Sequence, residues 1–163
     1  MRELQIVDAA ELAAAYAAAH YVVMLDGDAL RLRVGEPATD LEAYWPAGRY
    51  VFITAWNPAS EPHSDTANKS ADALLVAELD AAGIRRQSAW GEDADGRWRE
   101  PGWLLADVDD SRSATLAQAY GQAGVLAWTR GQPVRLRMLL HRPDIVGALA
   151  GIGMGEFIDW VDG

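Results

Sequence analysis

The chain has 163 residues, of which half are apolar and 23% are charged, and its net charge at pH 7 is −10. This length and composition predict one globular domain over residues 1–163 and exclude a chain that is disordered throughout. The sequence contains no cysteine, which excludes disulfides, thiolate nucleophiles and cysteine-ligated zinc. The three histidines have no partners at metal-ligand spacing, so we expect neither a metal nor another cofactor.

Charge and hydropathy also limit the partners. A net charge of −10 repels phosphate backbones, so we expect no nucleic-acid partner. One basic stretch lacks acids, but its alternation with apolar residues favours the solvated face of a strand. Its charged residues are Arg130, Arg135, Arg137 and Arg142. No signal peptide and no run of about 18 apolar residues is visible, which predicts a cytoplasmic protein without membrane contact. A single lysine among 14 basic residues, with abundant alanine and glycine, is typical of a bacterial source.

The first predicted elements are a helix and a hairpin. Residues 8–19 have a helical pattern in which Asp8 can cap the first turn, with Glu11 three residues later as in a capping box. The tripeptide Asp26-Gly27-Asp28 separates two apolar or alternating runs, which predicts a β-hairpin because glycine accepts a positive φ. The connector that follows, residues 36–48, has room for a short helix at 41–44.

A buried strand, a helix and a second hairpin come next. Residues 50–56 are aromatic and β-branched, which predicts a strand that is buried on both faces. Residues 64–82 predict a helix that ends at Gly83. Its apolar positions at helical spacing are Ala71, Leu74, Leu75, Leu79 and Ala82. Residues 84–90 and 98–106 predict two strands around Asp95-Gly96, and Pro101 places the second of them at an edge or a bulge.

The last part of the chain completes the predicted fold. A helix begins at Ser111 or Ser113 and ends at Gly121, strands follow at 125–129 and 134–140, and a short helix begins at Pro143. From residue 50 to residue 129 the order is strand, helix, strand, strand, helix, strand, which is the split βαβ order. We therefore predict an α+β fold. In detail, we expect a two-layer sandwich whose mixed or antiparallel sheet has ferredoxin-like βαββαβ order, extended by the N-terminal hairpin.

The most unusual segment is Thr54-Ala55-Trp56-Asn57-Pro58, where the buried strand ends. The proline forces Asn57 out of the helical region, and Ser64, Asp65 and Thr66 are candidate caps of the helix that follows. Asn68 lies on the apolar stripe of that helix, so it points inward and must find hydrogen-bond partners. Such a corner is a common site for anions or small molecules. Alternatively, the two asparagines only tie down the loop.

Two further polar residues lie at junctions between elements. Glu100 stands between Trp98 and Trp103, so its carboxylate could be partly desolvated and act as a general acid or base. The alternative is a surface carboxylate that pairs with a neighbouring arginine. Gln122 directly follows the predicted helix end, a position that is typical of a tether to the backbone.

Together these residues resemble the signature of one family. The run from Phe52 to Pro58, followed by Ser64, Asn68 and Leu74-Leu75, is similar to a bacterial domain of unknown function, number 3293. Trp98-Arg99-Glu100-Pro101 and Tyr120-Gly121-Gln122-Ala123 are similar to its later motifs, and the resemblance extends over residues 16–140. Gly102, where a serine is expected, and Gly124 depart from the pattern. The resemblance implies no activity, but it implies that a set of residues belongs to one pattern: Thr54, Asn57, Asn68, Glu100 and Gln122.

Three hypotheses remain open. The first is a binding or regulatory module that takes a small polar ligand or a protein partner at the corner of Asn57 and Asn68. Its further ligand-binding candidates are Thr54, Trp56, Ser64, Glu100 and Gln122. The second is an enzyme in which Glu100 is the general acid or base and the asparagines position the substrate. In the third, the asparagines are purely structural and brace a long loop.

Overall fold

A computed structural model describes residues 2–57, 62–140 and 155–161. Within them the helices are α1 (Arg2–Ala18), α2 (Thr39–Tyr44), α3 (Asp65–Ala81) and α4 (Asp110–Ala119). The strands are β1 (His20–Leu25), β2 (Asp28–Leu32), β3 (Arg49–Ile53), β4 (Arg86–Glu92), β5 (Arg99–Ala106), β6 (Gly124–Thr129), β7 (Arg135–Met138) and β8 (Ile158–Trp160). A 3-10 turn, Gly155–Phe157, leads into β8.

The strands form one curled sheet in the order β2-β1-β4-β5-β3-β6-β7-β8. Neighbouring strands are antiparallel except for β7 and β8, which are parallel. Just beyond β2, Val34 and Pro37 form bridges to Val134 and Pro133, directly before β7. The flanks of the sheet therefore meet, and the sheet is a half-barrel. The α+β class is confirmed, whereas the two-layer sandwich of ferredoxin-like order is not.

The core lies on both faces of the central strand β3. Tyr50 and Phe52 belong to the cluster inside the curl, and Val51 and Ile53 belong to a second cluster outside it. The helices contribute Ala13 and Ala17 of α1 to the inner cluster, and Leu75, Leu79, Leu116 and Ala117 of α3 and α4 to the outer one. The prediction of a strand that is buried on both faces is confirmed, because α1 fills the curl while α3 and α4 cover its outside.

Helix α1 begins earlier than predicted. Asp8 lies inside the helix, which begins at Arg2, so the predicted cap at Asp8 is wrong. The residues before Asp8 are mostly good helix formers, and they continue the helix through the position where a cap was expected. The alanines of the next turns are confirmed as a packing surface, since Ala13 and Ala17 lie one turn apart and are buried.

The ends of α3 and α4 show which residues cap these helices. Ser64 caps α3 by accepting a hydrogen bond from the Ala67 N–H at 3.1 Å, and Gly83 has a φ of +68° just beyond the helix end, both as predicted. The inward stripe is narrower than predicted, because Leu74 is 65% exposed. Helix α4 is capped by Asp109, not by a serine, because the Asp109 carboxylate is the group that accepts from a first-turn N–H.

The first hairpin is confirmed. Asp26 and Gly27 have φ values of +49° and +87°, which is the conformation of a two-residue type I′ turn. Helix α2 is also present in the connector where a short helix was expected.

The arginines of the basic strand β7 form ion pairs. Arg135 binds both carboxylate oxygens of Asp159 at 2.8 Å, and Arg137 contacts Asp110 at 3.1 Å. Arg142 and the helix predicted to begin at Pro143 lie outside the described residues. No helix in the described part of the chain is long and apolar enough to cross a membrane.

A buried carboxylate joins α2 to the far side of the sheet. Glu42 is 7% exposed, and its two oxygens accept from the Trp128 indole N–H at 3.0 Å and from the Gly131 backbone N–H at 2.8 Å. Trp128 is itself buried and stacks on Tyr50. Glu42 therefore holds together segments that are almost 90 residues apart in the chain.

We predict that Glu42→Ala lowers the free energy of unfolding by about 1–3 kcal/mol, because it leaves the buried Trp128 N–H without an acceptor. Urea unfolding followed by tryptophan fluorescence measures the change. Glu36→Ala removes an exposed carboxylate from the same connector and should change stability by less than about 0.5 kcal/mol. Equal effects of the two variants would contradict the structural role of Glu42.

Candidate functional site

Asn57 and Asn68 form a reciprocal pair of hydrogen bonds. The Asn57 backbone N–H donates to Oδ1 of Asn68 at 2.9 Å, and Nδ2 of Asn68 donates to Oδ1 of Asn57 at 3.0 Å. The two residues are 5% and 2% exposed. The pair fastens the end of the central strand to the first turn of α3, and it confirms that Asn68 points inward.

The same pair holds the loop between the strand and the helix. Oδ1 of Asn57 also accepts from the His63 N–H at 2.9 Å, and Nδ2 of Asn68 donates to the His63 carbonyl at 3.3 Å. Asn57 has a φ of +49°, outside the right-handed helical region as predicted, and asparagine tolerates this conformation better than most residues. The loop is therefore tied at both of its ends, while residues 58–61 lie outside the described part.

Glu100 joins the pair from the neighbouring strand β5. Its Oε1 accepts from Nδ2 of Asn57 at 2.7 Å and from the Trp98 indole N–H at 3.1 Å. The nearby arginines pair elsewhere, Arg97 with Asp95 and Arg99 with Glu92. The alternative of a surface carboxylate bound to a neighbouring arginine is therefore wrong, and Glu100 is half-buried.

Gln122 completes the set and is the tether that the sequence predicted. It is 7% exposed, and its Nε2 donates to the carbonyls of Trp56 at 3.0 Å and Tyr120 at 3.3 Å. Its Oε1 has no hydrogen-bond partner among the described residues. Gln122 thus fixes the backbone next to Asn57 while one acceptor atom is left over.

Thr54 explains how Pro101 fits into an interior strand. Strand β5 lies between β4 and β3 and pairs with β4 in unbroken register through Pro101, so the prediction of an edge or a bulge is wrong. The strand β3 ends opposite Trp103, however, and β5 extends beyond it. The Pro101 carbonyl points to this side and accepts from the Thr54 hydroxyl at 2.7 Å. The N–H that proline lacks would point the same way, where no strand remains to accept it.

The five residues of the pattern, Thr54, Asn57, Asn68, Glu100 and Gln122, thus lie around one strand end. A sequence model of a family described as "Protein of unknown function (DUF3293)" matches residues 53–125. Residues 53–125 are thus similar to the DUF3293 family. The match includes all five residues of the pattern, although it is shorter than the resemblance over residues 16–140. No curated protein and no solved structure was found that matches the chain.

The two departures from the DUF3293 pattern have structural reasons. A Cβ at Gly102 would lie 2.5 Å from the Ile53 carbonyl oxygen, so the expected serine would force the backbone apart. A Cβ at Gly124 would lie 2.8 Å from the sulfur of Met138 and 3.1 Å from the Tyr16 ring. Both glycines allow close approach of chain segments beside the pattern residues.

A cavity of about 210 Å³ opens next to this network, inside the curl of the sheet. Its apolar wall includes Leu12, Tyr16, Tyr21, Phe52, Leu126 and Leu136. Its polar lining includes Thr54, Glu92, Asp93, Glu100 and Gln122. Asn57 and Asn68 are not among the described residues that line the cavity, and neither are Trp56 and Ser64. The pair of Asn57 and Asn68 therefore supports the cavity from behind its lining. Glu100 and Gln122 line the cavity and also bind the Asn57 side chain and the Trp56 carbonyl.

The chemistry of the lining is that of a neutral hydroxyl and several carboxylates. Burial, and to a smaller extent the neighbouring Tyr16 and Glu100, raise the pKa of the Tyr21 hydroxyl. Tyr21 therefore stays protonated, and its hydroxyl donates to the Tyr16 carbonyl at 2.6 Å. Within the described residues, no three histidines or acids come together in a way that could hold a metal ion.

We predict that Asn68→Ala lowers the free energy of unfolding by about 1–3 kcal/mol, because the buried Asn57 N–H loses its acceptor. Chemical denaturation measures the loss. The matched control is Lys69→Ala, an exposed neighbour on the same helix, which should stay within about 0.5 kcal/mol of the parent protein. If the two variants were equally stable, the amide pair would not be a brace.

We predict that Gly102→Ala costs about 1–3 kcal/mol of stability, because the new methyl group overpacks against the Ile53 carbonyl and the Phe52 ring. Gly155→Ala is the control, since no described atom lies within 4 Å of a Cβ at that position. Thermal unfolding of both variants compares them directly. A Gly102 variant as stable as the Gly155 variant would show that the two strands are not in close contact there.

Proposed function

We propose that this protein is a small-molecule-binding module of the bacterial cytosol, and that its ligand occupies the cavity beside Glu100 and Gln122. One observation carries the proposal. An apolar cavity of about 210 Å³ meets two polar side chains that a buried hydrogen-bond network holds in place. Ligand sites are commonly concave, mostly apolar, and supplied with a few fixed polar groups.

The polar groups are held before any ligand arrives. Oε1 of Glu100 accepts two N–H donors, and Nε2 of Gln122 donates to two carbonyls. These bonds orient the remaining atoms, Oε2 of Glu100 and Oε1 of Gln122, which have no partner among the described residues. Side chains that are already ordered lose little conformational freedom on binding, which favours affinity.

The volume limits the ligand to a compact molecule. An engineered cavity of about 150 Å³ in another protein binds benzene. A cavity of about 210 Å³ therefore suits a ring with a short side chain rather than a nucleotide or a cofactor. In this proposal β4, β5, β3 and β6, with α3 and α4, form a ferredoxin-like unit that supplies the polar wall, and α1 supplies the wall opposite.

The position of Glu100 also favours an enzyme as the second candidate function. Its carboxylate lines the cavity, and Asn57 and Trp98 orient it, as a general base requires. In this version the asparagines position the base and not the substrate. Turnover of a bound ligand that Glu100→Gln abolishes would distinguish an enzyme from a binding module.

We predict that 2-phenylethanol, a neutral probe of suitable size, binds in the cavity and that Ala15→Trp weakens its binding at least tenfold. Ala15 lines the cavity from α1, and it is exposed enough for a larger side chain to reach across the mouth without disturbing the core. Amide chemical-shift changes in titrations followed by NMR give both the affinity and the location.

The control for this variant is Ala18→Trp, which places the same side chain at an exposed position of the same helix, away from the cavity lining. It should change the affinity by less than about twofold, which is under 0.5 kcal/mol. Shift changes confined to another surface, or equal binding by both variants, would refute the cavity as the binding site.

A further inference from the structure

We infer that the ligand of this cavity is a cation, a primary or secondary amine whose ammonium group lies between Glu100 and Gln122. The inference rests on the proposed function, because it names the chemical class of the molecule that the cavity takes. The charge of the lining, an unused acceptor and the aromatic wall support it.

The lining carries negative charge and no positive charge. Glu92, Asp93 and Glu100 line the cavity, and no lysine, arginine or histidine is found among the described residues that do so. Two of these carboxylates already have partners of their own. Glu92 lies 3.7 Å from the Arg99 guanidinium, and Oδ1 of Asp93 accepts backbone N–H groups of its own turn. Asp93 and Glu100 thus have no ion-pair partner among the described residues, and Glu100 is the one that the buried Asn57 amide holds at the cavity.

Gln122 adds an independent observation. It is 93% buried, and its Oε1 is an acceptor without a donor among the described residues. Oε1 is not one of the fully enclosed atoms without a partner, so it is accessible from the cavity that Gln122 lines. A molecule that displaces water from this acceptor should therefore bring an N–H or O–H donor of its own. A carboxylate or phosphate ligand brings only acceptor atoms and would also meet the charge of Glu100. An ammonium group brings donors to both atoms.

The rest of the lining suits the body of such a molecule. Tyr21 and Phe52 are in an edge-to-face arrangement with ring centroids 5.4 Å apart, and Tyr16 and Trp98 line the same cavity. Aromatic rings attract cations and pack well against an apolar chain or ring. Since the Tyr21 hydroxyl is occupied by the Tyr16 carbonyl, the wall offers no competing donor at that point.

A matched series of ligands tests the inference on the unaltered protein. The probes are 2-phenylethylamine, 2-phenylethanol and 3-phenylpropanoate, which share a ring and a short chain but carry a positive, a neutral and a negative end. We expect the amine to bind at least tenfold more tightly than the alcohol at pH 7 and low salt, and the carboxylate to bind most weakly. Calorimetry or NMR titration gives the three dissociation constants.

The outcomes separate the two proposals. If the alcohol binds in the cavity and the amine binds no more tightly, the cation inference is overturned and the binding module stands. If none of the three binds in the cavity, both proposals are overturned. A carboxylate that binds most tightly would also overturn the inference, because it would require a positive lining.

A variant then locates the selectivity at Glu100. Glu100→Gln keeps an oxygen that can accept from Asn57 and Trp98 while it removes the charge, so we expect the tenfold preference for the amine to fall below threefold. Asp40→Asn removes one charge from an exposed position on α2 and should leave the preference unchanged. A preference that persists in Glu100→Gln would refute the role of this carboxylate. If that variant does not fold, the ligand series on the parent protein still decides the inference.

Discussion

The amide pair of Asn57 and Asn68 is the interaction on which the rest of the site depends. The left-handed backbone at Asn57 turns the chain away from the sheet, so its N–H cannot join a strand ladder and must find an acceptor elsewhere. The side-chain amide of Asn68 both accepts this N–H and donates back to the Asn57 side-chain oxygen. Once the pair is made, Nδ2 of Asn57 is aimed at Glu100. One buried contact therefore positions a strand end, a helix start and a carboxylate.

Local signals in the sequence predicted much of the fold, and where they were wrong the reason is tertiary. Helical spacing placed Asn68 on the inner face because that spacing is a property of the helix alone. The same spacing placed Leu74 inward, whereas the residue is exposed. The width of the buried stripe depends on how α3 packs on the sheet, and helical spacing carries no information about that packing. Pro101 was assigned to an edge or a bulge because proline lacks a donor. Its actual position became possible only because β5 extends beyond the end of β3.

The sequence predicted only part of the candidate site, because the rest also depends on tertiary structure. The pattern identified the polar residues, but the meeting of Asn57 with Glu100 depends on the pairing of β3 with β5, and those residues are 43 positions apart. The cavity was not predicted at all. Its apolar wall combines residues of α1 and β1 with residues of β3, β6 and β7. These elements surround one space because the flanks of the sheet meet at Val34 and Val134. No local pattern in Leu12 or Leu136 indicates that they face one another.

The way the cavity is divided along the chain has a consequence for the family. Its carboxylates and Gln122 fall within the stretch that the family model matches, while Leu12, Tyr16, Tyr21 and Leu136 lie outside it. The polar end and the apolar end of the chamber are thus encoded by separate parts of the chain. Substitutions in the outer segments can reshape the apolar end without disturbing the asparagine brace. Under the proposed function, chains that share the matched stretch would keep one common head-group preference and would diverge in the size and shape of the molecule they bind.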